Sequence, residues 1–138
     1  MNFGRNLFSR NSQPSSSAVG VEYLDAQVRS EIEEMMDGEA ELIIDLIDTL
    51  IESTPEQLQA IEDGLANGDA AAVGDAGHAL KSAMAQMGAL GLSKLCKELE
   101  SLGRQGTLDG MAAINQQVKS EYQKVVQALE AWKTSLAS

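Results

Sequence analysis

Cysteine occurs once in this sequence, at Cys96, so no disulfide can close within the chain. With a single histidine beside it, the soft ligands of a structural zinc site are also missing. Aromatic residues make up only 4% and there are two prolines, whereas Ala, Leu, Met, Glu, Gln and Lys are plentiful, a balance that favours helices over pleated sheets. Basic residues are scarce: ten Lys and Arg against 21 Asp and Glu leave a formal net charge of −11, which argues against any nucleic-acid partner. No run approaches the roughly eighteen consecutive apolar residues of a membrane span. The opening residues Met1 to Phe8 lack the apolar stretch of a secretory signal, so a cytoplasmic location without membrane association is expected.

What is present fits one domain: 138 residues, 43% of them hydrophobic, suffice for one modest core. The charge is unevenly placed. Residues 22–69 hold fifteen acids against the single Arg29, while residues 70–138 hold six acids against seven bases. Residues 1–20, with the run Asn11-Ser12-Gln13-Pro14-Ser15-Ser16-Ser17, read as a flexible Ser-rich tail, and residues 21–138 as the folded domain. Within the tail, Phe3, Leu7 and Phe8 beside Arg5 and Arg10 are compatible with a short docking peptide or a weak membrane contact, though such segments are usually plain tails.

Apolar periodicity predicts the helices. A short one is expected from about Asp25 to Met36, with Asp25 as N-cap and Gly38 as its stop. A wide stripe then runs through Leu42, Ile43, Leu46, Ile47, Leu50 and Ile51, and resumes at Leu58, Ile61 and Leu65. Between the two parts, Pro55 either opens a new helix capped by Thr54 or kinks a continuous one. Asn67-Gly68 ends it and Asp69 can cap the next, which reaches about Met87. Gly88 and Gly91 mark a turn into a helix from Leu92 to about Leu102, ended by Gly103 and Gly106. Thr107 can cap a last helix with a seam from Met111 to Trp132. Short connections between long amphipathic helices predict an all-α, antiparallel up-and-down four-helix bundle with an additional short N-terminal helix. A monomer is expected, because all of these stripes can be buried internally.

On a helical wheel centred on His78, the residues Val73, Ala76, Leu80, Ala83, Met84 and Met87 fall on the opposite side and form the core stripe. His78 therefore points outward. Its face carries Gly74, Lys81, Ser82, Ala85 and Ala89, nearly all of them small. Gly74 and Gly77 each cost a helix roughly 1 kcal/mol relative to Ala, which suggests a need for room, and the ring of small residues would let a flat partner surface reach the imidazole. An exposed imidazole is largely neutral near pH 7, so a ring nitrogen is free to attack phosphorus, and Lys81 one turn away can neutralise phosphoryl oxygens. Taken alone, a surface histidine followed by a lysine is most often an ordinary polar pair.

The run His78-Ala79-Leu80-Lys81-Ser82-Ala83-Met84-Ala85-Gln86-Met87-Gly88-Ala89 resembles the signature of histidine-phosphotransfer (Hpt) domains: His-x-Leu-Lys, Gly or Ser, small residues, then Gly-Ala. The resemblance extends to Asn67-Gly68-Asp69 and to Leu92, Leu95, Cys96, Leu99 and Glu100, and covers roughly residues 22 to 136. It implies phosphorylation at His78, with Lys81 steadying the group; the small residues Gly74, Ser82, Ala85 and Ala89 of the helical wheel are the expected docking face. Position 82, commonly Gly in the family, is Ser here. Some members carry an Arg near the phosphorylated His from a Leu-Gly-Arg run, which Leu102-Gly103-Arg104 matches, making Arg104 a secondary candidate.

The implied role is a phosphorelay intermediate: His78 takes a phosphoryl group from a receiver-domain aspartate or hybrid histidine kinase and hands it to a response regulator. Lys94 and Lys97 either extend a patch for an acidic receiver pocket or are simply solvated. No nucleotide-binding loop or nucleophile with an adjacent base is present, so a carrier without kinase or hydrolase activity of its own is expected. No cofactor is expected either, the Mg²⁺ belonging to the receiver. The acids Glu31, Glu33, Glu34, Glu39, Glu41, Asp45 and Asp48 read as solvated helix faces, and no Glu-x-x-His pair suggests a metal site. The alternative reading is a helical adaptor that binds a receiver domain or a partner helix without accepting phosphate.

Overall fold

The computed structural model describes residues 23–137. The expected tail, residues 1–20, lies outside them. The described residues form five helices and no strand: α1 (Ala26–Met35), α2 (Ala40–Ala66), α3 (Ala70–Gln86), α4 (Leu90–Gln105) and α5 (Met111–Ala137). Each of α2 to α5 packs against the next, and α5 returns to α2, which closes the antiparallel four-helix bundle that the periodicity predicts.

The starts of α1 and α3 follow from their caps. The carboxylates of Asp25 and Asp69 accept from the backbone N–H of Val28 and Ala72 at 3.0 and 3.1 Å, satisfying donors that a helix start leaves open. The core is made of the stripes: Ile43, Ile47 and Ile61 from α2, Val73, Leu80 and Met84 from α3, Leu92 and Leu99 from α4, and Val118, Val125, Leu129 and Trp132 from α5. Each such side chain contributes about 1.5–3 kcal/mol by leaving water.

Pro55 sits inside a single helix, so one α2 spans both halves of the stripe. The helix forgoes the bond that the missing N–H would have made. Thr54 caps nothing; it is buried, and its hydroxyl donates to the Leu50 carbonyl at 2.7 Å.

Two boundaries differ from expectation, both at α4. It begins at Leu90 and runs to Gln105, so Gly91 and Gly103 lie within it, and Gly106, at φ 74°, ends it. Thr107 does not cap α5: its hydroxyl accepts from the N–H of Asp109 at 3.1 Å, which closes a turn before the helix starts. A glycine's modest helix cost is overridden where packing demands it, as at Gly103 below.

α1 is fastened across the end of the bundle where α3 turns into α4. The Asp25 N–H donates to the Gly88 carbonyl at 2.8 Å, the Trp132 indole donates to Glu33 at 2.9 Å, and the Arg29 guanidinium lies 4.9 Å from the Trp132 ring centroid. Gly88, at φ 87°, makes the turn, and a Cβ there would also press on Asp25 and Val28 at 3.2 Å.

Candidate functional site

Three glycines bring α3 and α4 into backbone contact. A Cβ added to Gly103 would lie 2.5 Å from the Gly74 Cα and 2.8 Å from the Ala70 carbonyl oxygen, and one added to Gly77 would lie 2.9 Å from the Cys96 carbonyl oxygen. No side chain fits between the helices there. The Ser93 hydroxyl adds a tie, donating to the Lys81 carbonyl at 2.9 Å.

At this short separation, Glu100 of α4 reaches across to α3. Its Oε2 lies 2.6 Å from His78 Nδ1 and accepts from Arg104 Nη2 at 2.8 Å, while its Oε1 accepts from Lys81 Nζ at 2.7 Å. The Glu100 side chain is only 6% exposed, roofed by its own partners, whereas the His78 side chain is 58% exposed. The Lys81 ammonium is the main reason the Glu100 carboxyl is held down at about 2; His78 and Arg104 assist, and desolvation opposes them.

This arrangement fixes the imidazole. An ionised carboxylate only accepts, so the ring nitrogen facing it must carry the hydrogen, and Nδ1–H is the donor. In the neutral ring the lone pair is then left on Nε2, at the exposed edge. A hollow of about 410 Å³ opens beside His78, lined by Gly74, Asp75, Glu100, Gly103 and Arg104 among others.

His78, Lys81 and Arg104 are thus gathered on one carboxylate. Arg104 stands in this group because α4 continues through Gly103. The expected docking face divides. Ser82 and Ala85 are exposed beside His78, but Gly74 and Ala89 are buried. Gly74 lacks a side chain to admit Gly103, not to admit a partner surface. Ala89 lies past the end of α3, after Gly88 has redirected the chain, so the helical wheel no longer places it. Lys94 and Lys97 are exposed on the outer side of α4.

The residue that sequence reasoning missed is Glu100. It appeared there only as part of a family resemblance, without a role. The available signal was an acid adjoining an apolar stripe, four residues after Cys96 and four before Arg104. Among the described residues, no group of three or more His, Cys, Asp and Glu is arranged to hold a metal ion, and no helix is long and apolar enough to cross a membrane.

The Hpt domain family model matches residues 45–132. Histidine-containing phosphotransfer protein B (HptB) from Pseudomonas aeruginosa PAO1 has a similar structure: TM-score 0.76 and 30% sequence identity, over 82% of this chain and 96% of that one. No curated protein sequence matches the chain.

Proposed function

The chain belongs to the Hpt domain family, the histidine phosphotransfer carriers of phosphorelays, and we propose that His78 is the residue that carries the phosphoryl group. The observation that carries this reading is the Nδ1 contact to Glu100 in a side chain that is 58% exposed, an arrangement that puts the neutral ring's lone pair on Nε2.

The donor is the aspartyl phosphate of a receiver domain. The Nε2 lone pair forms a bond to phosphorus as the phosphorus–oxygen bond to the aspartate breaks, and that bond's electron pair returns to the aspartate carboxylate. No proton need leave the ring. The positive charge that develops on the imidazole is met through Nδ1–H by the Glu100 carboxylate, which stays ionised throughout. Lys81 and Arg104 offer the arriving phosphoryl oxygens two cations already aimed at the site. Transfer to a second receiver is the same step reversed.

The sequence offers neither a nucleotide-binding loop nor a nucleophile with an adjacent base, which supports a carrier without kinase or hydrolase activity of its own. Mg²⁺ belongs to the receiver. The partners are receiver domains and a hybrid histidine kinase, and the protein works as a cytoplasmic monomer. Exposed Ser82 and Ala85 are the docking residues, since neither obstructs a flat surface approaching Nε2. Lys94 and Lys97 speed the approach of an acidic receiver more than they tighten binding.

The test is incubation with a phosphorylated receiver domain. Wild-type protein becomes an acid-labile, base-stable phosphoprotein and His78→Ala takes no label; equal labelling of the two would remove His78 from the role.

A further inference from the structure

Given that His78 carries the phosphoryl group, the charged donors available to it lie on one side only. On the α3 wheel, Gly74, Gly77 and Lys81 fall on the flank that packs against α4, and Glu100 and Arg104 belong to α4 itself. The Nδ1 edge of the ring is turned that way. The opposite flank of α3 carries Asp75 and Ser82, both exposed. Asp75 is an acceptor without a hydrogen to give, and Gln86 stands two turns from His78.

Ser82 is the donor on that flank. It is exposed and sits four residues after His78, where Cβ atoms on a helix are about 5–6 Å apart. Helical side chains lean toward the N-terminus, which carries the Ser82 hydroxyl over the turn that holds His78. Four hydroxyls in these helices are folded onto their own backbone: Ser53 and Thr54 on the Leu50 carbonyl, Thr134 on Glu130, Ser135 on Trp132. Ser82 makes no such bond, so its hydrogen is available.

A phosphoryl group brings three acceptor oxygens and a charge of about −1.5 to −2. Lys81 and Arg104 approach from the α4 side, which leaves an oxygen turned to the opposite flank. We infer that the Ser82 hydroxyl donates a hydrogen bond to that oxygen of phosphorylated His78, holding the group from the side that Lys81 and Arg104 do not reach. Ser82 is thus a phosphoryl-binding residue in the carrier state, and it makes no corresponding bond before transfer. The Ser82 hydroxyl thereby biases the relay toward the loaded carrier.

The experiment is the equilibrium of phosphoryl exchange between one receiver domain and the wild type, Ser82→Ala and Ser82→Thr, together with the ³¹P spectrum of each loaded carrier. Ser82→Ala lowers the loaded fraction's equilibrium constant about three- to tenfold, the range of one net hydrogen bond, and moves the ³¹P resonance. Ser82→Thr, which keeps the hydroxyl, restores both. An unchanged equilibrium and resonance in Ser82→Ala would overturn the inference while leaving His78 as the carrier. If wild type takes no label at all, the His78 reading fails first and this one with it. Thermal melting of the three proteins separates a phosphate effect from a folding effect, because an exposed serine on a helix face has little to lose on truncation.

Discussion

Two helix pairs in this bundle meet in opposite ways. α2 and α5 are the long pair, held apart by large side chains such as Ile43, Ile47, Val125 and Leu129 and joined at their rims by Asn115 and Lys119 to Glu62 and by Lys133 to Asp48. α3 and α4 have glycine where those helices have branched aliphatics, and they meet backbone to backbone at Gly74, Gly77 and Gly103. The first pair supplies burial. The second supplies distance: a glutamate on one helix reaches a histidine on the other at 2.6 Å only because nothing lies between them. Stability and chemistry are thus assigned to different helix contacts of one small core.

That division can be broken first by mutations that cost the fold. Leu129→Ala, in the fully buried seam of α5, is expected to lose about 2–5 kcal/mol in denaturant unfolding, with phosphotransfer per folded molecule unchanged. Gly103→Ala is expected to lose about 1–3 kcal/mol, although alanine is the better helix former, because its Cβ would press on backbone atoms at 2.5 and 2.8 Å. Unlike Leu129→Ala it also slows transfer in the molecules that remain folded, since α3 and α4 must separate and Glu100 draws back from His78. A Gly103→Ala protein with wild-type stability and transfer would erase the distinction between the two pairs.

Next come substitutions that touch chemistry alone. Glu100→Gln keeps the shape but removes the charge that meets the developing imidazolium, and its amide can offer either a donor or an acceptor to Nδ1. Transfer measured by rapid quench should fall about tenfold, a loss of the order of one charged hydrogen bond. Lys81→Ala should slow the same step less and leave the melting temperature nearly unmoved, because Arg104 keeps a cation on Glu100 beside His78.

The smallest effects lie in pH and at the rim. The Glu100 carboxyl titrates at about 2 in the folded protein against an ordinary value of 4.5, so its contribution to stability is fully present above pH 4.5 and is lost as pH falls toward 2. Melting curves of Glu100→Gln should therefore show a shallower loss over that window. At the other extreme, burial pushes the Cys96 thiol up to about 12 from 9, so the folded form keeps a proton that the unfolded chain has released, and stability declines as pH rises from 9 toward 12. Cys96→Ala should flatten that decline. Lys133→Ala, at the half-buried Asp48 pair on the bundle's surface, should shift the melting curve only slightly.

Much of this was legible in the sequence because it is local. The α2 stripe, the Asp25 and Asp69 caps and the outward face of His78 depend on neighbours within a turn or two. What was not legible depends on a second helix. A glycine reads alike whether it ends a helix or lets another helix touch it, so Gly103 was expected to be a stop and Gly74 to belong to a docking face. Pro55 was open for the same reason, since the packing of α2 on both sides of it decides whether the helix continues. Glu100 looked like one acid among 21 until α3 was set against α4.

The most direct test of the account is a nitrogen-detected NMR spectrum of the imidazole, which is unambiguous because the chain holds a single histidine. The free protein should show the hydrogen on Nδ1, and the phosphorylated protein should show phosphorus coupled to Nε2. A free protein with the hydrogen on Nε2, or a phosphoryl group on Nδ1, would contradict it.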